Sequence, residues 1–197
     1  FIHAPTESAR QGATIILIHG WPWNRLGEAA GGLFADLTGE KAVDLLRLAV
    51  DLHRAGFNVL MYDMRNHGES AAAPPMAFGQ EEAKDLLGAI AYLNGRADVS
   101  PDRLGVIGFS MGANSLLYAL PQTDQIKAAV AVQPTTVAVF SEKYGRDLLG
   151  PLSNIVLPVT EFFYQAAGGL YWSAYRPSFA ATGAGATPVL FVQGNND

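Results

Sequence analysis

Five residues, Gly108-Phe109-Ser110-Met111-Gly112, hold a hydroxyl between two glycines at a point where the pattern of the chain changes. Before them, Arg103 to Phe109 is a short apolar run; after them, an amphipathic helical pattern continues to Leu120. A serine hydroxyl is a weak nucleophile, and acyl chemistry needs it raised above a sheet edge where a base and a substrate carbonyl both reach it. A tight strand-to-helix turn does this. Its strained backbone leaves no room for side chains two residues to either side of the serine, where Gly108 and Gly112 stand. The helix that follows aims its free N–H groups and positive dipole end at the same point, favouring the negative charge of acyl transfer. The short string alone suits a plain Gly-Ser turn equally well; the strand before it and the helix after it favour chemistry.

Those flanking elements belong to a longer series. Ala13–Gly20, Phe57–Asp63, Arg103–Phe109, Ile126–Pro134 and Thr187–Gly194 read as strands, apolar without alternation, as expected where both faces of a parallel sheet are covered. Glu40–Gly56, Gln80–Gly95 and Met111–Leu120 carry helical spacing. In the first of these, Val43, Leu46, Ala49, Val50 and Leu52 repeat on one face and Gly56 is a stop; in the second, Glu81 and Glu82 occupy the first turn, where the dipole favours acids. Strand alternating with helix predicts an α/β fold with a mostly parallel, doubly wound sheet. Residues Thr135–Ala186 break that rhythm with an aromatic-rich stretch, expected to be a helical lid or cap inserted into a single domain whose core is 1–134 and 187–197.

Composition narrows the partners. The chain has 197 residues, 49% hydrophobic and 16% charged, enough to bury one sizeable core. A net charge of −5 without a Lys/Arg cluster argues against nucleic acid, and a small organic substrate is expected instead. Zero cysteines rule out disulfides and thiolate metal sites and fit a reducing compartment, with the cytoplasm favoured. Ile155–Tyr175 has the length of a bilayer span, but Pro158, Glu161, Gln165 and Gly168-Gly169 interrupt it, so a cover over a pocket is expected and not a membrane span.

Three further stretches join Ser110 in a resemblance to the α/β-hydrolase superfamily, its serine esterases and lipases in particular, extending over Ala13–Asp197. His19-Gly20-Trp21-Pro22 resembles the family's His-Gly-x-Pro segment, Tyr62–Ser70 (YDMRNHGES) its Asp-x-Arg-x-His-Gly-x-Ser loop, and Pro188–Asp197 (PVLFVQGNND) the strand and turn that deliver a catalytic acid. The resemblance implies an oxyanion hole built from the backbone N–H groups of Trp21 and Met111, a Ser110 nucleophile and Asp197 as the triad acid, with no metal and no organic cofactor. Trp23, beside the mouth of the site, and Phe162, Tyr171 and Trp172 in the aromatic segment are candidate substrate contacts.

In this fold the triad runs serine, acid, histidine along the chain, yet no histidine follows Ser110. His19 and His67 fall in motifs that are structural in the family, His53 lies on a helix and His3 near the terminus, and Asp63 is expected to brace the Arg65–Ser70 loop. The expectation is therefore a C-terminally incomplete α/β-hydrolase, a fragment that lacks the triad histidine and is nearly inactive alone. Its parent is expected to hydrolyse carboxylic esters; thioesterase, peptidase, lyase or perhydrolase activity on the same scaffold, or a binding module without catalysis, are the alternatives.

Overall fold

The computed structural model describes residues 1–5, 8–29 and 42–194. Five strands form one parallel sheet: β1 (Thr14–Ile18), β2 (Asn58–Met61), β3 (Leu104–Phe109), β4 (Ile126–Val132) and β5 (Val189–Val192), in the order β2-β1-β3-β4-β5. The described helices are α1 (Leu45–Arg54), α2 (Ala83–Asn94), α3 (Met111–Ala119), α4 (Val137–Leu149), α5 (Ser153–Ala166) and α6 (Pro177–Ala181).

Side chains alternate across a strand, so a strand covered on both faces must be apolar at every position. In β1, Ile16 and Ile18 point into the larger core with Leu86, Ile90 and Leu93 of α2 and Leu116 and Leu117 of α3; Leu17, one residue away, meets Ala49 of α1 and Val59 on the opposite face. Helices on both faces make the sheet doubly wound, as the unbroken apolar runs predict. At the far edge, β5 leaves Leu190, Phe191 and Val192 exposed.

Two helix boundaries differ from the sequence reading, both because a side chain captures the backbone first. The helix expected to run from Glu40 begins at Leu45, since the Asp44 carboxylate accepts the Arg47 N–H at 2.8 Å and caps the first turn; residues 40 and 41 lie outside those described. The helix expected from Gln80 begins at Ala83. Glu82 does not face the dipole from solvent: it is fully buried, and its two oxygens accept the N–H groups of Ala77 (3.0 Å) and Gly79 (2.8 Å).

Residues 135–186 supply α4, α5 and α6 and enter directly from the C-terminal end of β4. Tyr175 and Val137 are buried there against Ala77, with Phe78, Tyr164 and Trp172 packed around them. A one-way hydrogen-bond chain fastens this segment to the loop before α2. Leu170 N–H donates to Tyr175 Oη at 3.2 Å, the two tyrosine hydroxyls bond at 2.5 Å, and Tyr164 donates to Met76 O at 2.7 Å. Among the described residues no helix is long and apolar enough to cross a membrane.

Candidate active site

Ser110 is the single residue between β3 and α3, and it adopts φ 50° and ψ −113°. That is a sparsely populated region for a residue with a Cβ and costs on the order of 1–3 kcal/mol. Neighbouring backbone holds it in place: its N–H donates to Val132 O at 2.8 Å, and its carbonyl accepts the Asn114 N–H at 3.0 Å. Both flanking glycines are sterically required. A Cβ on Gly108 would come within 2.7 Å of Ala113 N, and one on Gly112 within 2.6 Å of Ile18 O and closer still to His19 O. The third glycine of the site, Gly20, would place a Cβ 2.9 Å from Phe109 O, 3.0 Å from Ser110 Cβ and 3.1 Å from the Trp23 ring. Three strand ends therefore meet at backbone contact around one hydroxyl.

That hydroxyl makes no hydrogen bond among the described residues. Ser110 instead faces a small apolar cleft of about 30 Å³ lined by Trp21, Phe78, Met111, Asn114, Thr135, Val137 and Phe140. Met111 begins α3, so its N–H is one of the first-turn donors without an intrahelical acceptor. Trp21, Ser110 and Met111, singled out separately in the sequence, share this one cleft; Trp23 packs its ring close to Gly20 but does not line it.

The remaining sequence candidates lie elsewhere. Phe162 and Tyr171 are 67% and 64% exposed and do not line the cleft. Trp172 packs near Tyr175 and, with Tyr171 and Glu161, borders a different cavity of about 300 Å³ between α4 and α5. Asp197 lies outside the described residues. Four cleft residues escape the sequence reading: Phe78, Asn114, Thr135 and Val137. Only Asn114 carries a signal, as an amide on a helix face that is otherwise apolar. It is buried, its Nδ2 donates to Phe78 O (3.2 Å) and Thr135 O (2.8 Å), and its Oδ1 accepts the Thr135 N–H (3.3 Å). One side chain on the turn after Ser110 thus ties together the two loops that wall the cleft.

None of the four histidines hydrogen-bonds to Ser110. His19 is fully buried; its Nδ1–H donates to Gly20 O at 2.9 Å and its Nε2 accepts the Met64 N–H at 3.0 Å. Burial is the main cause that lowers its pKa to about 4, helped by His67, against the opposing pull of the Gly20 hydrogen bond and of Asp63. It is a neutral brace between the ends of β1 and β2. His67 Nδ1–H donates to Arg65 O at 2.9 Å, His53 Nδ1–H to His3 O at 2.8 Å, and His3 pairs with Asp98 at 2.9 Å.

Asp63 is equally committed. It accepts the N–H groups of Arg25 (2.7 Å) and Glu69 (3.0 Å), pairs with the Arg25 guanidinium, and its carbonyl accepts the Ser70 hydroxyl at 2.6 Å. Burial alone would raise its pKa, but the two backbone donors and Arg25 together outweigh burial and hold the carboxyl below its ordinary range. Among the described residues no group of three His, Cys, Asp or Glu side chains is placed to hold a metal ion.

A family model for the alpha/beta hydrolase fold matches residues 13–154. The chain belongs to the alpha/beta hydrolase family. Two curated relatives of this alpha/beta hydrolase are the thiohydrolase aneE of Aspergillus aculeatus, 26% identical over 131 residues, and the uncharacterized protein YqkD of Bacillus subtilis, 29% identical over 188 residues. The alignments cover 64% and 93% of this chain but 41% and 55% of those proteins, so the chain spans about half their length. Among solved structures, the Pyrococcus furiosus esterase Pf2001 superposes with a TM-score of 0.59 at 25% identity, over 92% of this chain and 60% of that one. The alpha/beta hydrolase GrgF from Penicillium sp. sh18 gives 0.58 at 13% identity over 95% and 83%, a likeness of fold alone.

Proposed function

We propose that this alpha/beta hydrolase chain carries the nucleophile and oxyanion site of a serine hydrolase that cleaves carboxylic esters or thioesters. Ser110 Oγ attacks the carbonyl carbon while a histidine takes its proton. The N–H groups of Trp21 and Met111 hold the oxyanion, the protonated histidine then gives its proton to the leaving alcohol or thiol, and water hydrolyses the acyl-serine by the same steps. Asp197 orients that histidine. The base is none of His3, His19, His53 or His67, whose ring bonds are made elsewhere. Residues 1–197 alone are therefore expected to turn over esters about a millionfold more slowly than a polypeptide that also holds the base.

The observation that carries this reading is the backbone of Ser110, a non-glycine residue at φ 50° whose hydroxyl, at a helix N-terminus, has no partner among the described residues. Esterase and thiohydrolase relatives support the choice of acyl substrates. The test is labelling of the natural polypeptide that contains residues 1–197 with a fluorophosphonate, followed by peptide mass spectrometry. Modification at Ser110, absent in Ser110→Ala, is expected. An unmodified Ser110 in folded protein would refute the proposal and leave the cleft as a binding site without catalysis.

A further inference from the structure

Helix α5 is turned inside out. Its polar groups lie on the face packed against the rest of the molecule. Ser153 Oγ donates to Gly150 O at 2.6 Å, Glu161 accepts the Trp172 N–H at 2.7 Å, and Tyr164 Oη donates to Met76 O at 2.7 Å, with Leu157 against Gly145 between them. Ile155, Val156, Val159, Phe162 and Phe163 share the opposite face, between 41% and 68% exposed and within an arc of about 120° at 3.6 residues per turn. No ionisable side chain stands in that arc. A surface helix normally shows the reverse pattern, polar outward and apolar inward.

The size of this stripe suits an interface. Phe162 and Phe163, each about two-thirds exposed, leave about 100–170 Å² apiece in water. With their aliphatic neighbours they match the largest apolar patch of an ordinary monomer, about 300–600 Å². That is the apolar centre of a contact taking about 800 Å² from each partner, the size a stable dimer needs. Its spacing is that of a helix–helix seam: Leu152, Ile155, Val159, Phe162 and Ala166 follow one another at intervals of three and four residues. Leu152, in helical conformation, extends the path one residue before α5.

The stripe is also complementary to itself. With two copies of α5 antiparallel about an axis at Val159, Ile155 pairs with Phe163, Val156 with Phe162, Leu152 with Ala166, and Val159 with its own copy. Large side chains thus meet small or β-branched ones throughout, as interdigitation requires. A lipid surface fits less well. Interfacial helices are anchored by Lys and Arg on their polar side, and neither occurs between Arg146 and Arg176 in a chain of net charge −5.

We infer that this face is the self-association surface of the protein, and that its occupant is α5 of a second copy, packed antiparallel about a twofold axis through Val159. The inference is independent of the chemistry proposed for Ser110. The interface lies behind a wall of the Ser110 cleft, because Tyr164, on the packed face of the same helix, meets the Phe78 ring at 5.8 Å.

The experiment is sedimentation velocity over a micromolar dilution series of the natural polypeptide that contains residues 1–197, which should show twice the polypeptide mass. Val159→Glu sets two carboxylates against each other at the axis and should weaken the dimer by about 100-fold or more. Leu46→Glu, at an exposed apolar position of α1, should leave it intact. Residues 1–197 contain no cysteine, so with any cysteine elsewhere replaced by serine, Val159→Cys and Asn154→Cys place one thiol on the stripe and one off it. A short bis-maleimide should join two copies through the first and not through the second. Thermal melting by circular dichroism is recorded for each variant, and the cross-linking decides the matter should Val159→Glu not fold. A monomeric wild type would overturn the inference, whether it binds phosphatidylcholine vesicles through Val159 or shields the Val159→Cys thiol from maleimide with another part of its own polypeptide. A dimer unaffected by folded Val159→Glu, or not cross-linked through Val159→Cys, uses another face and would overturn it equally.

Discussion

Replacing Gly112 by alanine tests the geometry on which the Ser110 site depends. The added methyl would sit 2.6 Å from Ile18 O, nearer still to His19 O, and 2.9 Å from Ile18 C. A carbon normally approaches a carbonyl oxygen to about 3.3–3.6 Å, so α3 and the end of β1 must separate by roughly 1 Å. Neither yields readily, because Ile18 is in register with Gly108 of β3 and His19 is bonded through both ring nitrogens. Overpacking of this kind costs about 1–3 kcal/mol, and alanine's helix preference over glycine returns at most about 1 kcal/mol. The net loss should be about 1–2 kcal/mol, or about 2–8 °C in Tm for a chain of this size. A displacement of about 1 Å at the nucleophile would also cost about 100-fold in Ser110 reactivity. Gly88 provides the control. It lies mid-way along α2, and a Cβ added there would meet nothing within 4 Å, so Gly88→Ala should stabilise by about 0.5–1 kcal/mol. Urea midpoints at constant m separate the two effects. A Gly112→Ala protein as stable as the wild type, or one more stable than Gly88→Ala, would show that backbone contact does not position Ser110.

Two other expectations follow from the same site. His19 has a folded pKa of about 4 against 6.5 when unperturbed, so between those values the unfolded chain takes up a proton that the folded chain refuses. The corresponding stability is present above pH 6.5, is lost progressively as pH falls toward 4, and amounts to about 3 kcal/mol; urea midpoints across that window should fall in the wild type, with this part of the slope removed in His19→Asn, and a wild-type midpoint constant from pH 7 to 4 would contradict the assignment. Ser110→Gly should release the backbone strain of φ 50° and raise stability by about 1 kcal/mol while abolishing fluorophosphonate labelling; a melting temperature unchanged or lowered would mean the serine backbone is not strained.

Much of this is legible in sequence because some constraints are local. An apolar run without alternation has only one comfortable place, between two covered faces, so β1 and β3 can be read directly. Gly108 and Gly112 are required by atoms four residues away or one strand over, and the spacing that demands them is short. The cleft walls are not legible for the opposite reason. Phe78 and Thr135 come from two segments more than fifty residues apart in sequence, and they meet because the Asn114 amide bonds to both. Glu82 reads as a dipole-facing acid because helical position is visible in sequence and an inward rotamer is not. Phe162 and Tyr171 draw attention as aromatics in the segment expected to cover the site, but their face of the helical layer points outward.

Fold membership by itself would not assign chemistry to this chain; the proposal leans instead on the distribution of strain and satisfaction around Ser110. Four buried polar side chains around Ser110 are committed: His19 through both ring nitrogens, Asp63 through three N–H donors, Glu82 through two N–H groups of the loop before α2, and Asn114 through two loops. Ser110 departs from this pattern twice, with a backbone conformation that costs energy and a hydroxyl without a partner among the described residues. A serine serving only to end β3 would gain by relaxing to ordinary φ or by capping α3 with its Oγ, worth about 1 kcal/mol. It does neither, because Val132, Asn114 and the two glycine contacts hold its backbone with the side chain turned toward Trp21 and Met111. The surrounding network thus holds one hydroxyl without a partner among the described residues, the arrangement that the proposed acyl transfer would use.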